Sequence, residues 1–207
     1  MREQILKCLT GLDEIVSPDS HNSEIHAGDF ELNPSLKYPD KPSPAAVLVP
    51  LVEHENGLTV LFTQRTDHLN DHAGQISFPG GRMEAADSGP VDTALRETRE
   101  EIGMDPDYVQ VAGCLDHYET GTGYLVLPVV GFVRPGFQLV LDEFEVADAF
   151  EVPLSFLLDA NNHRTAIHRV RDMDLSFHVI EYENRYIWGA TAGMIMNFYQ
   201  RIQALEG

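Results

Sequence analysis

Between Arg96 and Glu101 the chain reads Arg-Glu-Thr-Arg-Glu-Glu, a spacing that can hold a hard cation. On a helix turning roughly 100° per residue, Glu97 and Glu101 fall about 40° apart on one flank, and Glu100 lies about 60° beyond Glu97. Arg96 stands four residues before Glu100, within pairing reach. Like charges at such spacings destabilise a helix by a few tenths of a kcal/mol, so this group of carboxylates calls for a compensating charge. Mg²⁺ or Mn²⁺ would supply it. Mg²⁺ prefers oxygen ligands and is commonly held by one or two carboxylates plus the phosphate oxygens of a substrate. Bridging phosphates, such an ion stabilises developing charge and activates or orients water. Taken alone, an acidic helix face also reads as solvated surface.

The elements around these residues would have to position them. The loop from His72 to Gly81 ends in Phe78-Pro79-Gly80-Gly81. Its glycine pair allows positive φ and close backbone approach, so a carbonyl or amide there can face a metal or a phosphate. A helix is predicted over Pro90 to Ile102, with Ser88 or Asp87 as its cap, Pro90 in the first turn and Gly103 at the exit. Its buried stripe is predicted to be Val91, Ala94, Leu95, Thr98 and Ile102. Strands are expected at Ala45–Val52 and Leu58–Gln64 around the turn Glu55-Asn56-Gly57, then at Val109–His117, Leu125–Val133 and Val146–Val152. Pro153–Leu158 reads as a helical turn, His163–Arg169 and Phe177–Tyr182 as a hairpin, and Gly189–Leu205 as a closing amphipathic helix. Residues 1–13 read as a short helix with Ile5, Leu6, Leu9 and Leu12 at helical spacing, and 17–44 as a polar loop reaching toward a partner subunit. Mixed strands and helices in this order predict an α/β (α+β) sandwich, with 1–44 as an N-terminal extension and 45–207 as the main domain.

Bulk properties narrow the partners. The chain has 207 residues and a formal net charge of −19, with 33 acidic against 14 basic side chains. A sequence-independent grip on nucleic acid needs a basic surface, so nucleic acid is not an expected partner. The longest apolar runs fall short of a membrane span, no signal peptide is evident, and two cysteines imply no disulfide framework. A reducing cytoplasm is the expected compartment. So acidic a protein should repel a phosphate-bearing substrate unless arginines or a bound cation reverse the local field.

Together the motifs resemble the Nudix box, whose pattern is Gly, five residues, Glu, seven residues, then Arg-Glu-apolar-x-Glu-Glu-x-Gly-apolar. Gly81 opens it here, and Arg96 to Met104 closes it. Asp87 takes the place of the first Glu, eight residues separate it from Arg96, and Thr98 occupies an apolar position. These departures resemble the coenzyme A pyrophosphatase branch, as does the upstream stretch Leu61-Phe62-Thr63-Gln64-Arg65-Thr66-Asp67-His68-Leu69 leading to Gly74 and Phe78, although Asn70 stands where that branch has Arg. Downstream, Glu145-Val146, Phe150 to Leu154 and Ile187-Trp188-Gly189-Ala190-Thr191-Ala192 are similar to further segments of the branch.

The resemblance implies a Nudix-type α/β/α sandwich with a central mixed sheet, spanning 45–207, and a small-molecule nucleotide substrate. Glu97 and Glu101 are then the expected metal ligands, with Glu100 a third ligand or the general base and the Gly81 carbonyl completing the shell. Arg96 is expected to orient Glu100, and Glu145 to act as base or extra ligand. Arg65 and Arg82, with forked donors, are candidates for phosphate binding. His72, His117, Cys114 and Trp188 read as structural. The implied reaction is cleavage of coenzyme A or a derivative to 4′-phosphopantetheine and adenosine 3′,5′-bisphosphate. ADP-ribose or a dinucleotide polyphosphate is an alternative substrate, and a nucleotide-sensing module without catalysis an alternative class, against which the intact carboxylates argue. A homodimer would give the N-terminal helix and the 17–44 segment somewhere to pack.

Overall fold

A computed structural model of the chain describes residues 1–12, 27–36, 40–68, 73–170 and 173–205. The first long strand, β2 (Ser43–His54), is buried along most of its length because both of its faces are covered. It turns at Glu55-Asn56 into β3 (Gly57–Arg65), and Gly57 takes a φ of 126° that side-chain-bearing residues rarely adopt. β2 runs parallel to β8 (Tyr124–Val133) from Ser43 opposite Tyr124 to Val52 opposite Val133. Parallel pairing requires a long crossover, and helix α2 (Pro90–Ile102) lies within it.

Among the described residues the mixed sheet has nine strands. Its path runs β1 (Ala27–Gly28), β7 (Tyr118–Glu119), β8, β2, β3 and β4 (Ile76–Ser77). To this path β5 (Gly80–Arg82) adds on β2, β6 (Val109–Cys114) on β8 and β9 (Val146–Pro153) on β3. A second sheet of three strands is formed by β10 (His163–Val170), β11 (Met173–Tyr182) and β12 (Arg185–Trp188).

Side-chain alternation sends the residues of β2 to the two faces of the sheet. Ala46 and Leu48 join Leu127, Val129, Cys114 and the α2 residue Ala94. Val49 and Leu51 join Phe62, Val130 and Phe132 with Ile195, Phe198 and Ile202 of α4 (Gly189–Gln203), Leu154 and Leu157 of α3 (Leu154–Leu157), and Ile5 and Cys8 of α1 (Arg2–Cys8). Each fully buried side chain of this size stabilises the fold by about 1.5–3 kcal/mol. The result is the expected α+β sandwich around a mixed central sheet.

Several expectations are corrected. α1 ends at Cys8 rather than at residue 13, because Thr10 leaves the helix to pair its backbone N–H and C=O with Cys114 at the sheet edge, leaving Leu12 exposed. The 17–44 segment is not loop throughout: β1 joins β7, and the Asn33 amide bonds the Ser176 N–H and C=O, both at 2.8 Å. Residues 13–26 lie outside the described set. The predicted strand 109–117 stops at Cys114, beyond which Asp116 is drawn to Asn197 and Arg201 of α4.

Candidate active site

Helix α2 begins and ends at the predicted residues, but its start is built differently. Its N-cap is Gly89, without a side-chain cap. Asp92 accepts from both the Ser88 N–H and hydroxyl. Asp87 accepts instead from Arg96 Nε at 2.8 Å and Nη2 at 3.0 Å, from the Thr93 hydroxyl and from the Glu84 N–H. These bonds, those of Arg96 foremost, hold the Asp87 carboxyl well below the usual carboxylate range. Gly103 closes the helix in the left-handed conformation, as predicted. The buried face is rotated from the predicted stripe. Val91 and Leu95 are only partly covered, while Thr93 and Glu101 are buried.

Arg96 spans the helix flank. Its Nη1 reaches Glu97 Oε1 at 3.0 Å and Glu100 Oε2 at 2.9 Å, and its Nη2 reaches the Arg82 carbonyl at 3.3 Å. The expected Arg96–Glu100 pair is therefore present, within a larger clamp that Asp87 anchors. Glu100 is well exposed, while Glu97 is largely covered. Burial pushes the Glu97 carboxyl up, Arg96 pulls it down, and the charges of Glu100 and Glu145 add to the upward push.

Glu101 is the most enclosed of the group, at 5% exposure. Its Oε2 accepts from the Gly80 N–H at 3.2 Å, and its Oε1 lies 4.0 Å from Arg65 Nη1. Burial pushes this carboxyl up to about 8, against the opposing pull of Gly80 and Arg65 and with help from the charges of Glu97 and Glu145. Among the described residues the Nε of Arg65 is a buried donor with no hydrogen-bond partner. A β-bulge between Gln64 and Arg65 alters the register against β9 at this point.

The glycine pair does two separate jobs. Gly80 takes a φ of 151°, and a Cβ there would stand 2.5 Å from the Ala46 carbonyl oxygen. Gly81 needs its bare backbone because a Cβ would meet the Glu97 carboxylate at 2.6–2.7 Å. Pairing of Gly81 with Ala46 and of Gly80 with Val47 fixes this loop on the sheet beside α2.

Glu145 ends a tight turn laid along the C-terminal end of α2. The Val140 and Asp142 N–H groups donate to the carbonyls of Ile102 and Glu101, both at 2.9 Å, and the Glu145 N–H donates to Asp142. Thr66 ties the turn to β3: its N–H donates to the Glu145 carbonyl at 3.0 Å and its hydroxyl to the Phe144 carbonyl at 2.8 Å. The sequence reading missed Thr66 and the Asp87 anchor. The Arg65-Thr66 pair in the upstream motif and the Asp87 substitution were the available signals. Arg82 lies at the exposed edge, where its Nη2 donates to the Tyr124 hydroxyl at 3.3 Å. Trp188 opens α4, stacked at 4.3 Å on His168, and Cys114 is buried in the core. Asn70 and His72 lie outside the described residues.

Among the described residues no three His, Cys, Asp or Glu side chains form a ready-made metal cage. Glu97 and Glu100 are both engaged by Arg96. A Mg²⁺-type site does not need such a cage, since waters and substrate oxygens complete the octahedron. The donor chemistry fits: an enclosed carboxylate with one amide donor stands beside a second carboxylate tight against Gly81.

The NUDIX domain family model matches residues 42–169. An uncharacterized Nudix hydrolase NudL of Enterobacter sp. (strain 638) is 39% identical over 152 residues, covering 73% of this chain and 78% of that protein. A NudL protein of Yersinia pestis (strain Pestoides F) is 38% identical over 159 residues, covering 76% of this chain and 79% of its own length. Among solved structures, the MutT protein from Methanosarcina mazei Go1 matches with a TM-score of 0.51 at 18% identity, covering 81% of this chain and 98% of that one, a likeness of fold.

Proposed function

The chain belongs to the Nudix family, and from that premise we propose that it cleaves the diphosphate of coenzyme A or its derivatives, giving 4′-phosphopantetheine and adenosine 3′,5′-bisphosphate. At the coarser level it is a Nudix pyrophosphohydrolase, acting on phosphoric anhydride bonds of nucleoside diphosphate derivatives with the aid of divalent metal ions. The observation that carries the finer reading is the extended motif from Leu61 to Met104, whose two ends meet where Arg65 approaches Glu101 to 4.0 Å.

Glu97 and Glu101 are the proposed ligands of Mg²⁺ or Mn²⁺, with the Gly81 carbonyl beside them. Such an ion, when bound, supplies positive charge to the phosphate oxygens and lowers the pKa of water. Arg65 is suited to hold a phosphate, since its Nε is an unsatisfied buried donor. Arg82, exposed at the loop edge, is the second proposed phosphate contact. Glu100 or Glu145 takes the proton from the attacking water. Glu100 is accessible and held by Arg96, while Glu145 is fixed by the Thr66-bound turn. Residues 45–207 form the proposed hydrolase domain with 1–44 as its extension, acting in the cytoplasm, and a homodimer is the proposed assembly. Among the described residues no helix is long and apolar enough to cross a membrane.

Incubation of the pure protein with coenzyme A and Mg²⁺, with products followed by mass spectrometry, tests the substrate. Appearance of 4′-phosphopantetheine is expected. Cleavage of ADP-ribose with coenzyme A left intact would overturn the choice of coenzyme A, and Asn70 in place of the branch arginine makes ADP-ribose the second substrate to try.

A further inference from the structure

Phe144 is 65% exposed, yet it does not sit on a loose tip. Its N–H donates to Asp142 Oδ1 at 2.9 Å and its carbonyl accepts from the Thr66 hydroxyl at 2.8 Å. On either side, Asp142 and Val146 are bonded through the Glu101 and Asp142 carbonyls at 2.9 Å and 2.8 Å. Among the described residues the ring has one aromatic neighbour, His68, itself exposed, which meets it edge-on with centroids 4.9 Å apart. An apolar ring left this exposed contributes little burial to the fold. The two residues that carry this pair are sequence neighbours of the site: Phe144 precedes Glu145, and His68 follows Arg65 by three positions, with Thr66 linking the two segments. Thr66 follows Arg65 directly and is bonded to the Phe144 carbonyl, so the segment that carries Arg65 is tied to the turn that carries this ring.

We propose that Phe144, flanked by His68, is the platform on which the purine base of the substrate stacks. This rests on the reading of the site as one that holds a nucleoside diphosphate derivative. Every base offers a π face, and stacking does not depend on charge. It therefore supplies a grip that the strong negative charge of the protein, −19, does not oppose. Arg65 and the carboxylates then recognise the diphosphate, and the Phe144 rim recognises what is attached to it.

The test is binding of AMP, ribose 5-phosphate and 4′-phosphopantetheine to the Mg²⁺-loaded protein by calorimetry, in wild type, Phe144→Ala and Phe144→Trp. Wild type is expected to bind AMP roughly 5- to 100-fold more tightly than ribose 5-phosphate, the range of one base stack. Phe144→Ala should remove most of that preference, while Phe144→Trp restores it and shows fluorescence quenching by AMP that Trp188 in wild type does not. If Phe144→Ala keeps the preference, the base is bound elsewhere and the proposal fails. It fails equally if the alanine variant weakens 4′-phosphopantetheine instead of AMP. Because these are binding measurements, they remain readable if wild type fails to cleave coenzyme A, which would overturn the substrate assignment alone.

Discussion

Glu101 enters the folded state at a cost that depends on pH. Its carboxyl is pushed from 4.5 to about 8 by burial, so between these values the folded chain keeps a proton that the unfolded chain gives up. The unfolded state then binds fewer protons, and this group's contribution to stability falls as pH rises through that window and levels off above it. Asp87, held below the usual range, acts with the opposite sign, and its stabilising contribution is lost only as acid protonates it, below the Glu101 window. In chelator, the midpoint of thermal unfolding should therefore drop between about pH 5 and pH 8, and Glu101→Gln should flatten that slope. A variant with the same slope as wild type would remove Glu101 from the explanation. If Glu101 is the ligand proposed above, a cation must displace the same proton, so proton release on Mg²⁺ binding, read by calorimetry in buffers of different ionisation enthalpy, should accompany tighter binding up to about pH 8. Glu101→Gln is also expected to reduce metal-dependent turnover by about 100-fold or more. Gly81→Ala tests the neighbouring contact. Its Cβ would fall within 2.7 Å of both Glu97 carboxylate oxygens, so a loss of about 10- to 100-fold in turnover is expected, with the circular dichroism spectrum unchanged.

At the scale of elements, the stretch that enters α2 does more than begin a helix. The Asp87 carboxylate takes two bonds from Arg96 and one from Thr93, so the loop before the helix sets where the guanidinium sits, and the guanidinium in turn holds Glu97 and Glu100. Asp87→Ala should leave α2 in place, because the helix is also fixed through Ala94, Thr98 and Ile102. Loss of charge-assisted bonds to a covered carboxylate costs about 1–3 kcal/mol, measurable by urea unfolding. Turnover should fall more than stability, and Asp87→Glu should recover part of it. Equal recovery by Asp87→Asn would show that the charge of this anchor is unimportant.

At the scale of the molecule, the N-terminal residues are tied to the last helix. Arg201 donates from Nε to the Cys8 carbonyl at 2.6 Å and from Nη2 to the Thr10 hydroxyl at 3.1 Å, and it pairs with Asp116. Ile5 and Cys8 are buried in the same core as Phe198 and Ile202. The boundary proposed at residue 44 therefore does not coincide with a gap in packing. Arg201→Ala should lower hydrogen-exchange protection of the Thr10 and Cys114 amides, which pair with one another, before that of β2 and β8. Uniform loss of protection across all strands would mean that the clamp is part of the global core.

Local order alone carried much of this protein. The spacing of Arg96, Glu97, Glu100 and Glu101, the glycine pair and the apolar runs specified a helix from Pro90 to Ile102 and the main strands, because periodicity and turn chemistry act over a few residues. Tertiary structure decided the environment of each carboxylate. That Glu101 is buried while Glu100 is exposed depends on the 140–146 turn and on β5, which are distant in the chain and both bond to Glu101. The expected cap at Asp87 became the anchor of Arg96 because the helix, nearly two turns in, brings a guanidinium back within reach of that carboxylate. Phe144 has no local pattern that marks it, and Thr66 is marked only by its place beside Arg65 in the upstream motif. Their roles arise from a hydrogen bond spanning 78 positions, and contacts of that range are set by how β3 and β9 align and not by any neighbouring residue.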